Sequence, residues 1–547
     1  MTDYELDWTR EETVPLGVVV GGSLSQGLDV RMLAGGAVEE TKVGTFVTVE
    51  GGLLRFFGII TDLRLESADH RLAASVTGAD AALASVASGI SAYAMARVSP
   101  MLTTAVEDAP PQPARSLPAH FAPVNRASDR DVQAIFGSED AHHFYVGTPL
   151  DMKDVRVCLN LEELVKRSNG VFGKSGTGKS FLTRILLAGI AQKELATHLV
   201  FDMHSEYGWQ ATSESGYNVK GLKQLFSSRV AVISLDAANS LRRGLTPDYV
   251  AEIGYAEIEP EDVAVLAPTL NITELGVQAS FTLARRFGDG WMTHFLALNP
   301  ADVQVLAQEV NENVNTLNAL HQRLRRLERF DFLSDHPVKG KGAVATIMDY
   351  LDRGLHVVLE FGRYGDELAA YLLVANILTR RIHSAYRDRT ERAFAENAAP
   401  PKPLVITIEE AHRFLNSQLA DQTIFGTIAR EMRKYSVTLL VVDQRPSGID
   451  DEVLSQIGTR ITCQLDNERD VDAVLSGAHG ARELRGVLSR LESQQQALIF
   501  GHALPMPVVV RTRDYDTGLY SELGAPDAGQ GADARRRQDR RDLFGKE

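Results

Sequence analysis

Eight consecutive residues carry the most specific chemistry in this chain: Gly173-Lys174-Ser175-Gly176-Thr177-Gly178-Lys179-Ser180. A glycine, four free positions and then Gly-Lys-Ser is the phosphate-loop pattern. Its glycines let the backbone wrap closely around an anion. Its N–H groups converge on phosphate, and the dipole of the helix that follows favours negative charge. Lys179 is placed to reach the β- and γ-phosphates of ATP, and the Ser180 hydroxyl to hold Mg²⁺. The flanks agree: Leu164 to Phe172 reads as a lead-in and a strand, and Phe181 to Gln192 as an amphipathic helix. A glycine-rich turn with no ligand is the bland alternative, and it does not call for both flanks.

Hydrolysis of a nucleoside triphosphate also needs a metal holder, a group that orients water, and positive charge for the transition state. Leu404–Ile408 is a run of apolar and β-branched residues ending in Glu409-Glu410. It reads as a Walker B-like strand in which Glu409 stands where Asp is usual. Glu409 is expected in the Mg²⁺ shell, and Glu410 is expected to orient the attacking water. A plain strand-to-helix junction is the competing reading. Val437–Val442 is a further strand, and Gln444 near its tip suits a γ-phosphate sensor. Arg433, ending the helical stretch Phe425–Lys434, is the choice for an arginine finger, with Arg430, Lys434 and Arg460 in reserve. Basic residues at a helix C-terminus also simply complement the dipole. Asp202 and Glu206 follow the buried strand His198–Asp202, where open α/β sheets gather ligand chemistry. They fit metal or water work equally with a polar loop and helix cap.

At 547 residues the chain has room for two to four domains. The net charge of −15 argues against a generally basic nucleic-acid binder, while leaving room for positive charge confined to one surface. Two cysteines, Cys158 and Cys463, make neither a disulfide framework nor a metal cluster and fit a reducing cytoplasm. No apolar run reaches the length of a membrane span, and the acidic N-terminus lacks a signal-peptide pattern. The expectation is a soluble cytoplasmic protein with no membrane partner.

The elements that must position these groups can be laid out in order. Val14–Val20, Gly27–Leu33, Gly44–Val49 and Leu53–Leu65 are divided by glycine pairs, as in a small β-barrel. Leu72–Gly78 could add a strand, and Ala79–Ala94 is ambiguous. Prolines between 110 and 123 suggest a linker; a short helix at Asp131–Phe136 and approach strands at His142–Tyr145 and Val155–Leu159 follow. The His142-His143 pair is a weak metal signal. Val230–Leu235 and Leu355–Phe361 are strands, Leu368–Ser384 is a long helix, and 389–403 is a loop. Residues 246–345 are helical, with Arg323, Arg325, Arg326 and Arg329 on either a solvated or a DNA-facing side. Ala497–Phe500 and Met506–Thr512 form a strand pair. The expected division is a barrel over 1–110, linker and approach strands over 111–160, the first part of an ATPase core over 161–245, a helical insertion over 246–345, the second part of the core with the C-terminal strands over 346–515, and an Arg-rich disordered tail over 516–547.

Several runs together resemble one family. Glu-Glu-Ala-His-Arg-Phe-Leu (409–415), Ala-Arg-Glu-Met-Arg-Lys-Tyr (429–435), Val-Asp-Gln-Arg-Pro-Ser (442–447), Asp-x-His-x-Glu-Tyr (202–207) and Leu-Ser-Gln-Ile-Gly-Thr-Arg (454–460) look like the HerA branch of the HerA/FtsK ATPases. The resemblance covers nearly the whole chain. It implies an α/β fold: a RecA-like P-loop core with an N-terminal β-barrel and an α-helical insertion. It implies a homo-hexameric, ATP-driven translocase or helicase on double-stranded DNA, working with a NurA-type nuclease in DNA-end resection. By position it makes Arg167 a nucleotide contact, and it maps the family's basic helix end onto Arg433 and Lys434. With Arg167, the nucleotide-binding set is then Gly173, Lys174, Ser175, Gly176, Thr177, Gly178, Lys179, Ser180 and Phe181. Two departures stand out: Glu409 for the commoner Asp, and Met432 where glycine is usual before Arg-Lys. The competing function is a protein-facing ATPase switch that assembles a nuclease or antiviral effector without moving along DNA. A secretion ATPase of related core is a third reading, and it would need a membrane link.

Overall fold

The computed structural model describes residues 14–33, 38–67, 92–105, 111–212, 218–335, 342–413, 415–417, 419–420, 424–478 and 480–524. The expected strand at Leu72–Gly78, most of Ala79–Ala94 and the tail beyond residue 524 lie outside them. The chain divides into two compact units.

The first unit holds a closed antiparallel barrel. Its strands run in the order Gly27–Met32, Pro15–Ser23, Pro123–Arg126, Phe46–Glu50, Leu54–Ser67 and Ala92–Ala105, and the last pairs back onto the first. Alternating side chains fill the interior with Val19, Val30, Val47, Val49, Phe56, Ile60, Val98 and Val124. Bulges bend the strands enough to close. Gly58 sits at one of them, where a Cβ would lie 2.4 Å from the Ser99 carbonyl oxygen.

Two points correct the sequence-based boundaries. The proline-rich stretch predicts a linker from 111, yet Pro123–Arg126 is a barrel strand. Proline's missing N–H costs least at the first residue of a strand, and Pro123 takes that place. Likewise Thr459–Thr462, Gln496–Gly501 and Val508–Thr512 pair antiparallel with one another, and Val508–Thr512 then pairs with His143–Pro149, which pairs with Val157–Asn160. The strands Thr459–Thr462, Gln496–Gly501 and Val508–Thr512 fall within the first unit.

The second unit contains seven described parallel strands in the order Tyr249–Val250, Val230–Ser234, His356–Glu360, Thr197–Asp202, Leu404–Glu409, Val437–Asp443 and Asn169–Phe172. The longer ones are continuous apolar runs, as expected of strands covered on both faces. The helix Lys179–Lys193 follows the phosphate loop. An amphipathic helix is predicted here, but Leu182 to Ala191 are buried on every side. The helix Leu368–Ala395 runs well past the predicted end at Ser384. Its last turns, predicted as loop, are held by the Arg389–Asp352 ion pair and the Thr390 hydroxyl on the Tyr386 carbonyl.

The helical insertion is built from Pro260–Leu270, Glu274–Phe287, Trp291–Leu296, Pro300–Glu309 and Val314–Leu324. It is tied to the long helix by a buried polar knot, in which Asp262 accepts from Asn376 at 2.8 Å and Arg380 at 2.7 Å. Its arginines behave mostly as a solvated, paired face. Arg323 donates to the Leu270 carbonyl, Arg325 pairs with Glu328, and Arg329 with Glu367. Residues 516–524, expected in a disordered tail, include the helix Thr517–Glu522, capped by Asp516 and anchored by buried Leu519 and Tyr520.

The rings of His198 and His356 lie 4.9 Å apart and tilted at 38°, both buried, where two parallel strands begin. Burial is the main cause that lowers the pKa of each, that of His198 to about 4. Both are therefore neutral in the folded state across the neutral range. The unfolded chain takes up protons below about pH 6.5, so the stability that His198 contributes is complete above that pH and is lost as pH falls toward 4. Urea unfolding should show His198→Asn with a shallower acid decline than the parent, the difference approaching about 3 kcal/mol between pH 6.5 and pH 4.

Candidate functional site

Three neighbouring parallel strands bring the predicted chemistry to one edge. Phe172, the last strand residue before the phosphate loop, is in register with Asp443, and Glu409 is in register with Val442. The phosphate loop, Gln444 and the Glu409-Glu410 pair thus all leave the sheet at C-terminal strand ends. A doubly wound sheet binds ligands there.

The loop has the geometry of an anion cradle. Gly173, Gly176 and Gly178 have φ of 155°, 78° and 91°, a region that side chains other than glycine rarely adopt. A Cβ on Gly173 would meet Cys463 Cβ and Thr177 Oγ1 at 2.8 Å. The buried Thr177 hydroxyl donates to the Lys174 carbonyl at 2.8 Å and closes the loop on itself. Ser175 and Gly176 are exposed at its tip. Lys174 turns aside: its Nζ is 3.0 Å from Asp466, and its N–H bonds the Gln464 carbonyl. Lys179 opens the helix after Gly178, which offers no side-chain cap, so the positive end of the helix dipole faces the loop. Lys179 and Ser180 are both half-buried. Phe181 packs one turn in, 6.3 Å from the Tyr515 ring, with the Arg184 guanidinium 5.2 Å from its centroid.

Glu409 is buried, and its Oε1 accepts from the Tyr207 hydroxyl at 2.8 Å. Its Oε2 is buried without a hydrogen-bond partner. Desolvation, then the neighbouring Asp202 and Glu206, push its pKa well above the ordinary carboxylate range. An orphaned carboxylate oxygen at a strand end is what a hard cation would satisfy. Among the described residues no group of three His, Cys, Asp or Glu side chains forms a metal cage, the His142-His143 pair included. Mg²⁺ suits this donor set, since it commonly keeps waters and substrate phosphates around one or two carboxylates.

Glu410 stands in the left-handed region at φ 48°, a strained conformation of the kind that gathers at functional sites. This turn aims its carboxylate at the next strand end. Gln444 Nε2 donates to Glu410 Oε1 at 2.6 Å. On the other side, His412 Nε2 lies 3.8 Å from Glu410 Oε2. His412 is itself held by Asp443, through its N–H at 2.7 Å and Nδ1 at 3.0 Å. That hydrogen bond is the largest cause raising the His412 pKa, against the effect of burial.

Asp202 has a loop-building job. Its carboxylate accepts the N–H groups of Glu206, Tyr207 and Gly208 at 2.8, 2.8 and 3.3 Å. The polar-loop reading therefore describes Asp202, and through Tyr207 that loop holds Glu409. Glu206 Oε2 is buried without a partner. One strand further on, burial and Asp202 raise the pKa of Glu360 to about 7.

The basic candidates separate clearly. Arg433 is exposed on the turn Met432–Tyr435, and Arg430 lies 3.6 Å from Glu452. Arg460 is buried and donates to the carbonyls of Val474 and Ser476, so it is a structural residue and not a reserve finger. Arg167 lies before the strand Asn169–Phe172, at the end opposite the loop. Four strand residues, about 13 Å, separate it from the cradle. Tyr207, His412 and Asp443 were missed as functional residues. Their one sequence signal is a polar side chain within a few residues of a strand end.

The parallel sheet, the glycine cradle and the paired strand-end carboxylates define a P-loop ATPase. A family model described as the central domain of helicase HerA matches residues 144–382. The chain is 25% identical to the DNA double-strand break repair helicase HerA of Pyrococcus furiosus over 414 residues, covering 72% of this chain and 73% of that protein. The protein of the same name from Saccharolobus solfataricus is 24% identical over 394 residues, covering 71% and 72%. Among solved structures, VirB4 of Thermoanaerobacter pseudethanolicus is similar at 13% identity and a TM-score of 0.46, covering 69% of this chain and 98% of that one. Residues 144–382 thus match the HerA central-domain family, and over 72% of its length the chain is similar to a HerA helicase.

Tyr207→Phe should remove the one hydrogen bond to the buried Glu409 carboxylate. Denaturant unfolding should show a loss of about 1–3 kcal/mol. An unchanged unfolding midpoint would mean that the hydroxyl does not support Glu409.

Proposed function

We propose that the chain is one subunit of a homo-hexameric ring that hydrolyses ATP to move along double-stranded DNA. It acts as a helicase or translocase with a NurA-type nuclease in DNA-end resection and repair. The observation that carries this reading is the convergence, on adjacent strand ends, of the phosphate loop, the Glu409-Glu410 pair and Gln444. The names of the relatives, which are DNA double-strand break repair helicases, support the choice of DNA as the partner.

The roles follow from chemistry. The loop N–H groups and Lys179 bind the phosphates. The Ser180 hydroxyl and Glu409 Oε2 would hold Mg²⁺, which neutralises charge on the β- and γ-phosphate oxygens when bound. Glu410 orients the attacking water and draws its proton. Gln444 senses the γ-phosphate. Arg433 is exposed, as a finger serving a neighbouring subunit must be. With a net charge of −15, DNA grip depends on positive charge segregated to the pore, and binding should weaken steeply with salt.

Lys179→Ala should abolish hydrolysis and weaken nucleotide binding. Glu410→Gln should still bind ATP and fail to turn it over. Arg433→Ala should lose about a thousandfold or more in turnover, recovered in part when mixed with Glu410→Gln subunits, because each ring then offers intact composite sites. The deciding measurement is ATP-dependent displacement of a third strand from duplex DNA, alongside native mass of the assembly. Nucleotide-dependent assembly without displacement would replace the motor with a protein-facing switch.

A further inference from the structure

The Glu410 carboxylate is bracketed. One oxygen is taken by the Gln444 amide at 2.6 Å, and the other faces the His412 ring nitrogen at 3.8 Å. Of the two contacts only that of Gln444 is a hydrogen bond, so it is the one that must open for Oε1 to orient water. Gln444 is the one suited to move. It begins the loop after its strand, it is half-buried, and its amide can turn to a phosphate oxygen. His412 is not suited to move. Its N–H and Nδ1 are both fixed on Asp443, which is fully buried at the end of the neighbouring strand and also accepts the Arg445 N–H at 2.6 Å. Behind it, Gly448 approaches so closely that a Cβ there would lie 3.1 Å from His412 Cβ.

We propose that His412 is a positioning residue for hydrolysis: anchored on Asp443, it keeps Glu410 Oε2 in place while Gln444 releases Oε1 to the attacking water. The pair makes a latch. With Gln444 on Glu410, Oε1 is occupied and the water site is closed. When the amide turns to a phosphate oxygen, Oε1 opens, and the strained Glu410 does not swing away because the anchored His412 ring still flanks its other oxygen at ion-pair distance. No bond of His412 is made or broken, and the water proton goes to Glu410. This inference rests on the reading of Glu410 as the water-orienting carboxylate.

Two substitutions separate this role from a merely structural one. His412→Asn keeps a donor where Nδ1 meets Asp443 and removes the group facing Glu410. His412→Gln carries its amide further out, toward the position of Nε2. Steady-state ATP turnover and binding of a fluorescent ATP analogue are measured on the full chain with duplex DNA present. His412→Asn should lower kcat by about ten- to a hundredfold, with analogue affinity within about threefold of the parent. His412→Gln should recover several-fold of that loss. Turnover in His412→Asn equal to or above that of His412→Gln, at any level, overturns the proposal and leaves His412 as a brace for Asp443. Glu410→Gln is run beside them. If it turns over ATP normally, the reading of Glu410 itself has failed. If it is inactive while the two His412 variants turn over alike, only the positioning role has failed.

Discussion

The arrangement rests on carboxylates held out of water at neighbouring strand ends. Asp202, Glu360, Glu409 and Asp443 end four parallel strands, and all four are buried. Burying one charge is costly and burying several side by side is worse, so each needs a compensating group. Asp202 has three loop N–H donors, Asp443 has His412 and a backbone N–H, and Glu360 has Arg243 within 3.6 Å. Glu409 has only Tyr207 on one oxygen. Glu360 Oε1 is likewise buried without a partner, so Glu409 and Glu360 are the two strand-end acids left with an orphaned oxygen. Functional sites commonly break the rule that buried polar groups are satisfied.

These compensating groups also decide which parts of the site are rigid. Asp202 folds the loop that presents Tyr207, and Tyr207 fixes Glu409. Asp443 fixes His412, which flanks Glu410. Glu409 and Glu410 are thus each supported by the carboxylate of an adjacent strand acting through an intermediate residue. Parallel register makes this possible, because it aligns strand ends at one level. A one-residue slip would turn Glu409 to the opposite face of the sheet and separate it from Tyr207.

Much of this was legible in the sequence where the signal is local. The phosphate loop, the Glu409-Glu410 pair and Gln444 follow strands whose composition marks them as buried, and their place at strand ends needs no knowledge of neighbours. The barrel's first four strands could be read from glycine pairs and alternation. Ala92–Ala105 and Pro123–Arg126 could not, because closure pairs them with strands far away in sequence, and proline in the second segment argues against a strand on local grounds. The helix Lys179–Lys193 was misread as amphipathic for a related reason: burial on every side depends on what surrounds it. His412 and Asp443 stood in plain view, but their link depends on a left-handed turn at Glu410 and on the register of two strands. Neither can be inferred from residue spacing.

Exposure sorts the basic residues by the same logic. An arginine that serves another subunit must leave its own fold unsupported by its charge, so it has to be dispensable there. Arg460 fails that test: it satisfies two carbonyls from the interior, and burial lowers its pKa to about 10. Arg184, which donates to the Glu206 carbonyl at 2.6 and 3.1 Å, fails it too, since it braces the loop that carries Tyr207. Arg433 passes: it is exposed on a short turn that follows a helix packed against the core. Arg167 stands at the far end of the strand that leads into the phosphate loop. Exposure thus separates the arginines that complete this fold from those that do not.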